Sequence, residues 1–342
     1  MYSPTALSRI ASLALAAALV AAALVASESR AEQPAGPSVA IFFYPWYGTP
    51  SRDGSYEHWA QGGAQPPLAI ASNFYPARGV YSSTDASVLR SQMADIAGAR
   101  IDTVIVSWWG TGSVEDQRLP EVMAAARAAG LTVAIQLEPY AGRTPVSTAA
   151  DITRLEALGI TDFYVYDSTL YDDDDWAAMN RSLTGVRVFA DTGLPGKALA
   201  GGFTGFYTYD VYTYTGSSFQ RLCRSAIAHG LVCAPSVGPG YDARRATGSS
   251  DVRPRLRGAT YDYMWRQAIG ARPPIVTITS YNEWHEGTQI EPARYAGMAY
   301  DSYEGAWGLH GDAAQRAYLE RTAFWADRYR ARVVSSQLNP VQ

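Results

Sequence analysis

Eight short apolar runs separated by helical patterns fill the chain from residue 38 onward, and this alternation constrains the fold more than any other feature. The runs are rich in valine, isoleucine, phenylalanine and tyrosine, which is typical of parallel strands buried on both faces. The predicted strands are Val39–Tyr44, Thr103–Ser107, Thr132–Leu137, Asp162–Tyr166, Val186–Ala190, Gly205–Tyr209, Leu231–Pro235 and Ile275–Ser280. The predicted helices are Asp85–Ala99, Pro120–Ala129, Ala149–Leu158, Ser217–His229 and Ala313–Tyr329.

Eight strand-then-helix units predict an α/β fold, a single (β/α)8 TIM barrel whose extended βα loops form an aromatic-lined cleft. An open, doubly wound sheet is the alternative. It is disfavoured because no glycine-rich phosphate turn follows the first strand.

The N-terminal segment predicts export. Arg9 precedes the apolar run Ile10–Ala26, and Ser29-Arg30-Ala31 offers the small residues that a signal peptidase recognises. A membrane anchor is the alternative, because the run is near the lower length limit for spanning a bilayer. We expect a signal peptide over 1–31, a linker over 32–37, the barrel over 38–335 and a tail over 336–342. The mature chain is then periplasmic or extracellular, and its composition suggests a bacterial source.

Composition excludes several classes of protein. With 28 basic and 32 acidic residues and no basic cluster, the chain lacks the footprint of a nucleic-acid-binding protein. Its two cysteines and four histidines have no zinc-type spacing. We expect no metal, no cofactor, no nucleic-acid or membrane partner for the mature chain, and a monomer. Export permits a disulfide between Cys223 and Cys233, but two buried free thiols fit equally well.

Aromatic side chains and carboxylates follow the predicted strands at the end where barrel enzymes carry their active sites. These positions include Tyr44, Trp46, Trp108, Trp109, Glu138, Tyr140, Tyr166, Asp167, Asp191, Tyr209 and Asp210. Sugars suit such a lining, because their C–H faces stack on rings and their hydroxyls need polar partners. We therefore expect an oligosaccharide or polysaccharide substrate.

Glu283 and Glu286 follow the last predicted strand, with Asn282 and His285 beside them. Glycoside hydrolysis needs two carboxyl groups, one protonated and one ionised, and two on one turn can face the same pocket. An ordinary solvated pair of glutamates is the alternative. His285 is favoured as a ligand or orienting group over a proton donor. Lys197, the only lysine, is placed in a loop, which disfavours Schiff-base chemistry.

Several motifs together resemble glycoside hydrolase family 99, the endo-α-1,2-mannosidase and mannanase family. They are Phe43–Gly48, His58-Trp59, Asn73–Pro76, Tyr81–Ser83, Ser107–Trp109, Glu138–Tyr140, Phe163–Ser168, Pro235–Tyr241 and Ile278–Glu291. The resemblance spans roughly the whole mature chain, and its last motif is the most specific.

The resemblance implies a retaining, endo-acting hydrolase that cleaves α-1,2-linked mannosides. By this likeness Glu283 deprotonates the sugar 2-hydroxyl, which closes on C1 to form a 1,2-anhydro sugar, while Glu286 protonates the leaving oxygen and then activates water. The implied substrate-binding residues are Tyr44, Trp46, His58, Trp59, Trp108, Trp109, Glu138, Tyr140, Tyr166, Asp167, Tyr209, Tyr241, Asn282 and His285. Tryptophan at position 109 favours mannose over glucose in the outer subsite.

Two departures from the family pattern concern the substrate. Only Gly142 to Asp162 separates two motifs that are farther apart in similar proteins, and Ser55 replaces a common lysine. The shortened segment makes a family-99-like hydrolase of another α-linked polysaccharide an alternative. A secreted glycan-binding protein without turnover and a glycan-synthesis enzyme are further alternatives. Retention of both Glu283 and Glu286 disfavours the binding protein, and the export signal disfavours synthesis.

Overall fold

The computed structural model describes residues 36–338, with side chains as far as residue 332, and its centre is a closed barrel of eight parallel strands. The strands are β1 Ser38–Phe43, β2 Thr103–Trp108, β3 Thr132–Leu137, β4 Asp162–Val165, β5 Arg187–Asp191, β6 Gly205–Thr208, β7 Val232–Val237 and β8 Ile275–Ile278. Each strand pairs with its sequence neighbours, and β8 closes the barrel on β1 with Ser38 opposite Ile275. The predicted barrel is confirmed, and each predicted strand lies within two residues of an observed one.

A helix follows every strand and packs outside the barrel. These helices are α1 Ala86–Gly98, α2 Val114–Ala128, α3 Pro145–Glu156, α4 Asp173–Ser182, α5 Pro195–Ala200, α6 Phe219–Ala228, α7 Ala259–Ala271 and α8 Ala317–Leu338. Shorter helical turns lie at Pro50–Asp53, Gln61–Gly63, Ser168–Leu170, Arg244–Thr247, Leu256–Gly258, Ala306–Gly308 and Gly311–Gln315. Two short antiparallel pairs lie in the long loops. Tyr75–Pro76, after β1, pairs with Ala293–Arg294, after β8, and Tyr241–Asp242 pairs with Val252–Arg253 within the loop after β7.

Two helix predictions and one loop prediction need correction. Helix α2 begins at Val114 rather than Pro120, because the Ser113 side chain caps it by accepting the Asp116 N–H, and Pro120 lies in its interior. Lys197 lies in helix α5 rather than in a loop, and its ammonium contacts Asp173 at 3.2 Å on the surface. The predicted last helix is two helices, which meet at Arg316.

The predicted signal peptide lies outside the described residues. Among residues 36–338, the helices are all too short or too polar to cross a bilayer.

Aromatic rings fill the barrel interior. Phe42 of β1 packs against Tyr164 of β4 at 6.0 Å and against Tyr207 of β6 at 5.5 Å, measured between ring centroids. These strands are not neighbours in the sheet, so the rings must meet inside the barrel. The column continues upward because Phe42 also contacts Tyr209, at 5.0 Å, just beyond the end of β6. The core thus supports a tyrosine at the mouth of the barrel.

Cys223 of α6 and Cys233 of β7 form a disulfide, with their Cα atoms 5.2 Å apart. The sequence alone left this pairing open. The bond ties a barrel helix to the strand that follows it.

Candidate active site

The loop after β8 folds back on itself and presents Glu283 and Glu286. Ser280 N–H donates to the Thr288 carbonyl at 3.0 Å, and Glu291 N–H donates to the Tyr281 carbonyl at 2.8 Å. Inside this closed turn, Glu283 N–H donates to Ser280 Oγ at 2.8 Å. These bonds fix the backbone that carries both glutamates.

A buried carboxylate anchors the same turn from beneath. Glu291 is fully buried and accepts hydrogen bonds from Tyr81 Oη at 2.8 Å, Gln92 Nε2 at 2.9 Å, Trp284 Nε1 at 3.0 Å and Arg78 Nε at 3.1 Å. Buried charges are tolerated when they are paired and bonded in this way. Because Trp284 is held inward by Glu291, its neighbours on the turn can face the barrel mouth.

Asn282 joins the loop after β8 to the loop after β1. Its Oδ1 accepts the Tyr44 N–H at 2.8 Å and its Nδ2 donates to the Tyr44 carbonyl at 2.9 Å. The Tyr47 hydroxyl donates to the Asn282 carbonyl at 3.0 Å. Asn282 is fully buried, so it positions Tyr44 rather than contacting a ligand.

Both glutamates line one cavity of about 180 Å³ at the mouth of the barrel. The other lining residues are Tyr44, Trp46, Trp109, Gln136, Glu138, Tyr166 and Tyr209. A second cavity of about 150 Å³ shares Tyr166, Tyr209 and Glu286 with the first and adds Asp210, Val211, Tyr212, Tyr241 and Asp251. The cleft therefore passes over Glu286. Nine of the predicted site residues meet on its walls.

Seven predicted site residues do not line these cavities. Trp59 and Trp108 are buried to within 1% of their surface, and their Nε1 atoms donate to the Tyr81 carbonyl and to Asp116 Oδ1. Tyr140 packs edge-on against Trp108 and donates its hydroxyl to Asp151.

The remaining four, Asp167, His58, His285 and Asn282, do not line either cavity. Asp167 occupies a left-handed turn, with φ of 49°, and its carbonyl accepts from Arg143. His58 stacks on Trp46 with ring centroids 4.3 Å apart, and His285 bonds to the His58 carbonyl. With Asn282, these residues hold the cleft walls in place.

Sequence reasoning missed Gln136. It precedes Glu138 by two residues, so the two share one side of the chain at the end of β3, and this period-two spacing was the signal available. Gln136 Oε1 and Trp46 Nε1 are both buried, and neither has a hydrogen-bond partner within the described part of the chain. Buried polar atoms are nearly always bonded, so this acceptor and donor on the cavity wall suit a polyhydroxylated ligand. Asp251 and Tyr212 were also missed, because only the loop fold brings them to the cleft.

Burial sets the protonation of the carboxyl groups. It raises the pKa of Glu286 to about 7, opposed by a hydrogen bond from the Tyr209 hydroxyl at 3.1 Å. It raises the pKa of Glu283 well above its usual range. The charge of Glu286 adds to this rise, and the backbone N–H of His285, which donates to Glu283 Oε1 at 3.0 Å, opposes it. The pKa of Glu138 rises to about 8 for the same reason, although Ser107 donates to it at 2.7 Å. The site therefore holds three carboxyls whose pKa values lie above their usual range, and raised pKa values of this kind are how acid–base catalysts keep a carboxyl protonated near neutral pH.

The residues from 36 to 338 contain no group of three or more His, Cys, Asp or Glu side chains arranged to hold a metal ion.

Comparison with known proteins agrees with this geometry. The model of the family described as Glycosyl hydrolase family 99 matches residues 36–331. The chain belongs to this family. It is therefore a glycoside hydrolase, and its (β/α)8 barrel is that of the family.

Relatives in family 99 match most of the chain. The glycoprotein endo-alpha-1,2-mannosidase-like protein of Danio rerio is 33% identical over 85% of this chain and 78% of its own length. The glycoprotein endo-alpha-1,2-mannosidase of Xenopus laevis is 31% identical over 84% of this chain and 76% of its own length. A solved structure, the GH99 endo-alpha-mannosidase of Bacteroides thetaiotaomicron, is 29% identical with a TM-score of 0.76, over 86% of this chain and 98% of that one.

Proposed function

We propose that this family 99 protein is a retaining, endo-acting hydrolase of α-1,2-linked mannosides, in mannan or mannose-rich glycans, and that it forms a 1,2-anhydro sugar intermediate. The observation that carries the proposal is the placement of two buried carboxyls, Glu283 and Glu286, on one rigid turn and in one cavity. Similarity to relatives named endo-alpha-1,2-mannosidase supports the substrate class.

Glu283 is the base of the first step. It takes the proton of the sugar 2-hydroxyl as O2 forms a bond to C1 and the glycosidic C1–O bond breaks. The backbone N–H of His285 donates to Glu283 and stabilises the ionised form that this role needs. A substrate hydroxyl that donates to the same carboxylate adds to that effect.

Glu286 is the acid of the first step and the base of the second. It protonates the leaving oxygen as the glycosidic bond breaks. In the second step it takes a proton from water, whose oxygen attacks C1, and O2 recovers its proton from Glu283 as the anhydro ring opens. The pKa of about 7 suits a group that must both give and accept a proton near neutral pH.

By the resemblance to family 99, Trp109 is the residue that we propose to favour mannose over glucose in the outer subsite, and its position suits stacking on a sugar. It follows the end of β2, lines the catalytic cavity and is 37% exposed, so its ring is available for stacking. A sugar ring packs on such a face through its C–H groups.

The test is oligosaccharide release from an α-1,2-branched mannan by wild type, Glu286→Gln and the control Glu121→Gln. Glu121 lies exposed on α2 and has no part in the cleft. We expect release by wild type and control, a loss of about 10²-fold or more in Glu286→Gln, and a first product of retained anomeric configuration by NMR. No release by wild type would refute the mannan substrate, and turnover of another α-linked glycan would then identify the alternative. An inverted product would refute the two-step mechanism.

A further inference from the structure

His285 lies between two partners on opposite sides of its ring. Its Nε2 is 2.8 Å from the His58 carbonyl oxygen, and its Nδ1 is 3.5 Å from Oε1 of Glu283. A carbonyl can only accept, so the ring hydrogen is on Nε2. The tautomer of His285 is therefore fixed by the backbone of a distant loop.

The ring is neutral, because burial lowers the pKa of His285. A neutral imidazole with its hydrogen on Nε2 has a lone pair on Nδ1, and that lone pair points to the side where Glu283 lies. Two acceptors facing each other repel unless one of them carries a proton. The 3.5 Å separation is longer than the usual length of a hydrogen bond.

The imidazole is held so that it cannot turn away. Its ring centroid is 5.5 Å from that of His58 and 5.7 Å from that of Trp46, and His58 stacks on Trp46 in turn. The backbone N–H of His285 donates to Glu283 Oε1 at 3.0 Å, and Nδ1 of the His285 ring lies 3.5 Å from the same oxygen. His285 is only 6% exposed.

We propose that Glu283 and His285 work as a dyad, in which the proton that Glu283 takes up is shared between Oε1 and Nδ1. This inference rests on the proposed function, because it assigns a partner to the base of that reaction. As the 2-hydroxyl O–H bond breaks, the proton enters the dyad and converts the contact into an Oε1···H···Nδ1 hydrogen bond. When O2–C1 opens in the second step, the same proton returns to O2. His285 is a positioning residue that acts through Glu283.

The other ionisable groups around the dyad modulate Glu283 but do not replace His285. Glu286 and Glu138 raise the pKa of Glu283 by charge repulsion. Tyr44, Tyr47, Tyr209 and Tyr241 also lie near Glu283, and their raised pKa values keep them neutral. On the other side of the ring, His58 is neutral because burial, His285 and Arg118 lower its pKa to about 3.

The kinetic test compares His285→Gln with wild type and with the control His310→Gln, whose side chain is 75% exposed. Glutamine keeps a donor for the His58 carbonyl but has no Nδ1. The substrate is an α-mannoside with a dinitrophenyl leaving group, so that protonation by Glu286 is not needed. The acidic limb of the pH profile of kcat/KM then reports the ionisation of Glu283.

We expect the pH midpoint of that limb to fall by roughly 0.5 pH unit or more in His285→Gln, because the Nδ1 lone pair that opposes ionisation of Glu283 is gone. We also expect kcat to fall about 10-fold or more with little change in KM. An unmoved limb, with KM and thermal stability altered instead, would show a merely structural role and overturn the dyad.

A second measurement needs no substrate and no substitution at position 285. The chain has four histidines, so ¹⁵N-histidine labelling gives few signals to assign. In wild type we expect His285 neutral at pH 7 with its hydrogen on Nε2, and a change in its Nδ1 shift in Glu283→Gln. A hydrogen on Nδ1, or no response to Glu283→Gln, would overturn the proposal. If wild type cleaves no mannoside but the NMR result holds, the proposed function fails while the contact between Glu283 and Nδ1 of His285 stands.

Discussion

The Tyr209 hydroxyl donates to Glu286 Oε2 at 3.1 Å, while its ring packs edge-on against Phe42 in the barrel interior. The same hydroxyl shares a short hydrogen bond with Tyr44. The core of the barrel therefore aims a neutral donor at one of the two candidate catalytic carboxyls. Burial raises the pKa of Glu286, and this hydrogen bond opposes that rise.

Removing that donor in Tyr209→Phe is expected to raise the pKa of Glu286, because the hydrogen bond lowers it at present. An acid with a higher pKa stays protonated to higher pH, so the alkaline limb of kcat/KM for mannan moves up by about 0.5–1 pH unit. We expect kcat to fall about 10-fold or more. Tyr166→Phe is the control, since Tyr166 lines the same cavity without bonding to Glu286. Equal pH profiles for both variants would contradict this prediction.

Trp109→Ala is expected to weaken substrate binding without unfolding the protein. Stacking on an aromatic ring contributes about 0.5–1.5 kcal/mol, so KM should rise roughly 2- to 10-fold. Because Trp109 is 37% exposed, the unfolding free energy should change by only about 0.5 kcal/mol. Steady-state kinetics on a mannose-capped oligosaccharide, together with urea unfolding, provide the measurements. A large loss of stability, or an unchanged KM, would show that the ring supports the loop rather than the sugar.

Glu138→Gln is expected to stabilise the protein at alkaline pH. The pKa of Glu138 is raised to about 8 in the folded chain and is about 4.3 in an unfolded one, so the folded state binds the proton more tightly. Its contribution to stability is therefore complete below pH ~4 and is lost as the pH rises to about 8. Glutamine stays neutral, so the variant should gain on the order of 1–3 kcal/mol over wild type at pH 8 and little at pH 4.

Urea unfolding of Glu138→Gln and Glu121→Gln at both pH values checks this prediction. The exposed control should show no pH-dependent difference from wild type. A gain of the same size at pH 4 and pH 8 would mean that ionisation of Glu138 is not its cause.

We propose that the chain is exported and oxidised outside the cytoplasm, as its N-terminal segment and the disulfide between Cys223 and Cys233 suggest. The two cysteines are separated by 10 positions, and closing a loop of about that size stabilises a protein by roughly 3 kcal/mol. The double variant Cys223→Ser/Cys233→Ser should lose about that much in urea unfolding. Protein secreted with its own leader should begin at Glu32. Recovery of the intact chain inside the cell, beginning at Met1, would contradict the proposal.

The sequence by itself determined the barrel. Each strand and most helices carry a local signal, such as the apolar run Thr132–Leu137 or the helical pattern Asp85–Ala99. Connection rules leave only a few ways to arrange eight such strand-and-helix units. It also placed Glu283 and Glu286 together, because residues on one turn stay close whatever surrounds them.

Only the tertiary structure decided which side chains reach the substrate. Trp108 and Trp109 are neighbours at a strand end, yet one is fully buried and the other lines the cavity, because successive residues point to opposite sides of the barrel wall. Asn282 bonds to Tyr44, 238 positions away, and the His58 carbonyl fixes the tautomer of His285 from 227 positions away. The raised pKa values of the carboxyls likewise come from burial by distant loops. Such contacts depend on how the chain closes in space, and no local pattern encodes them.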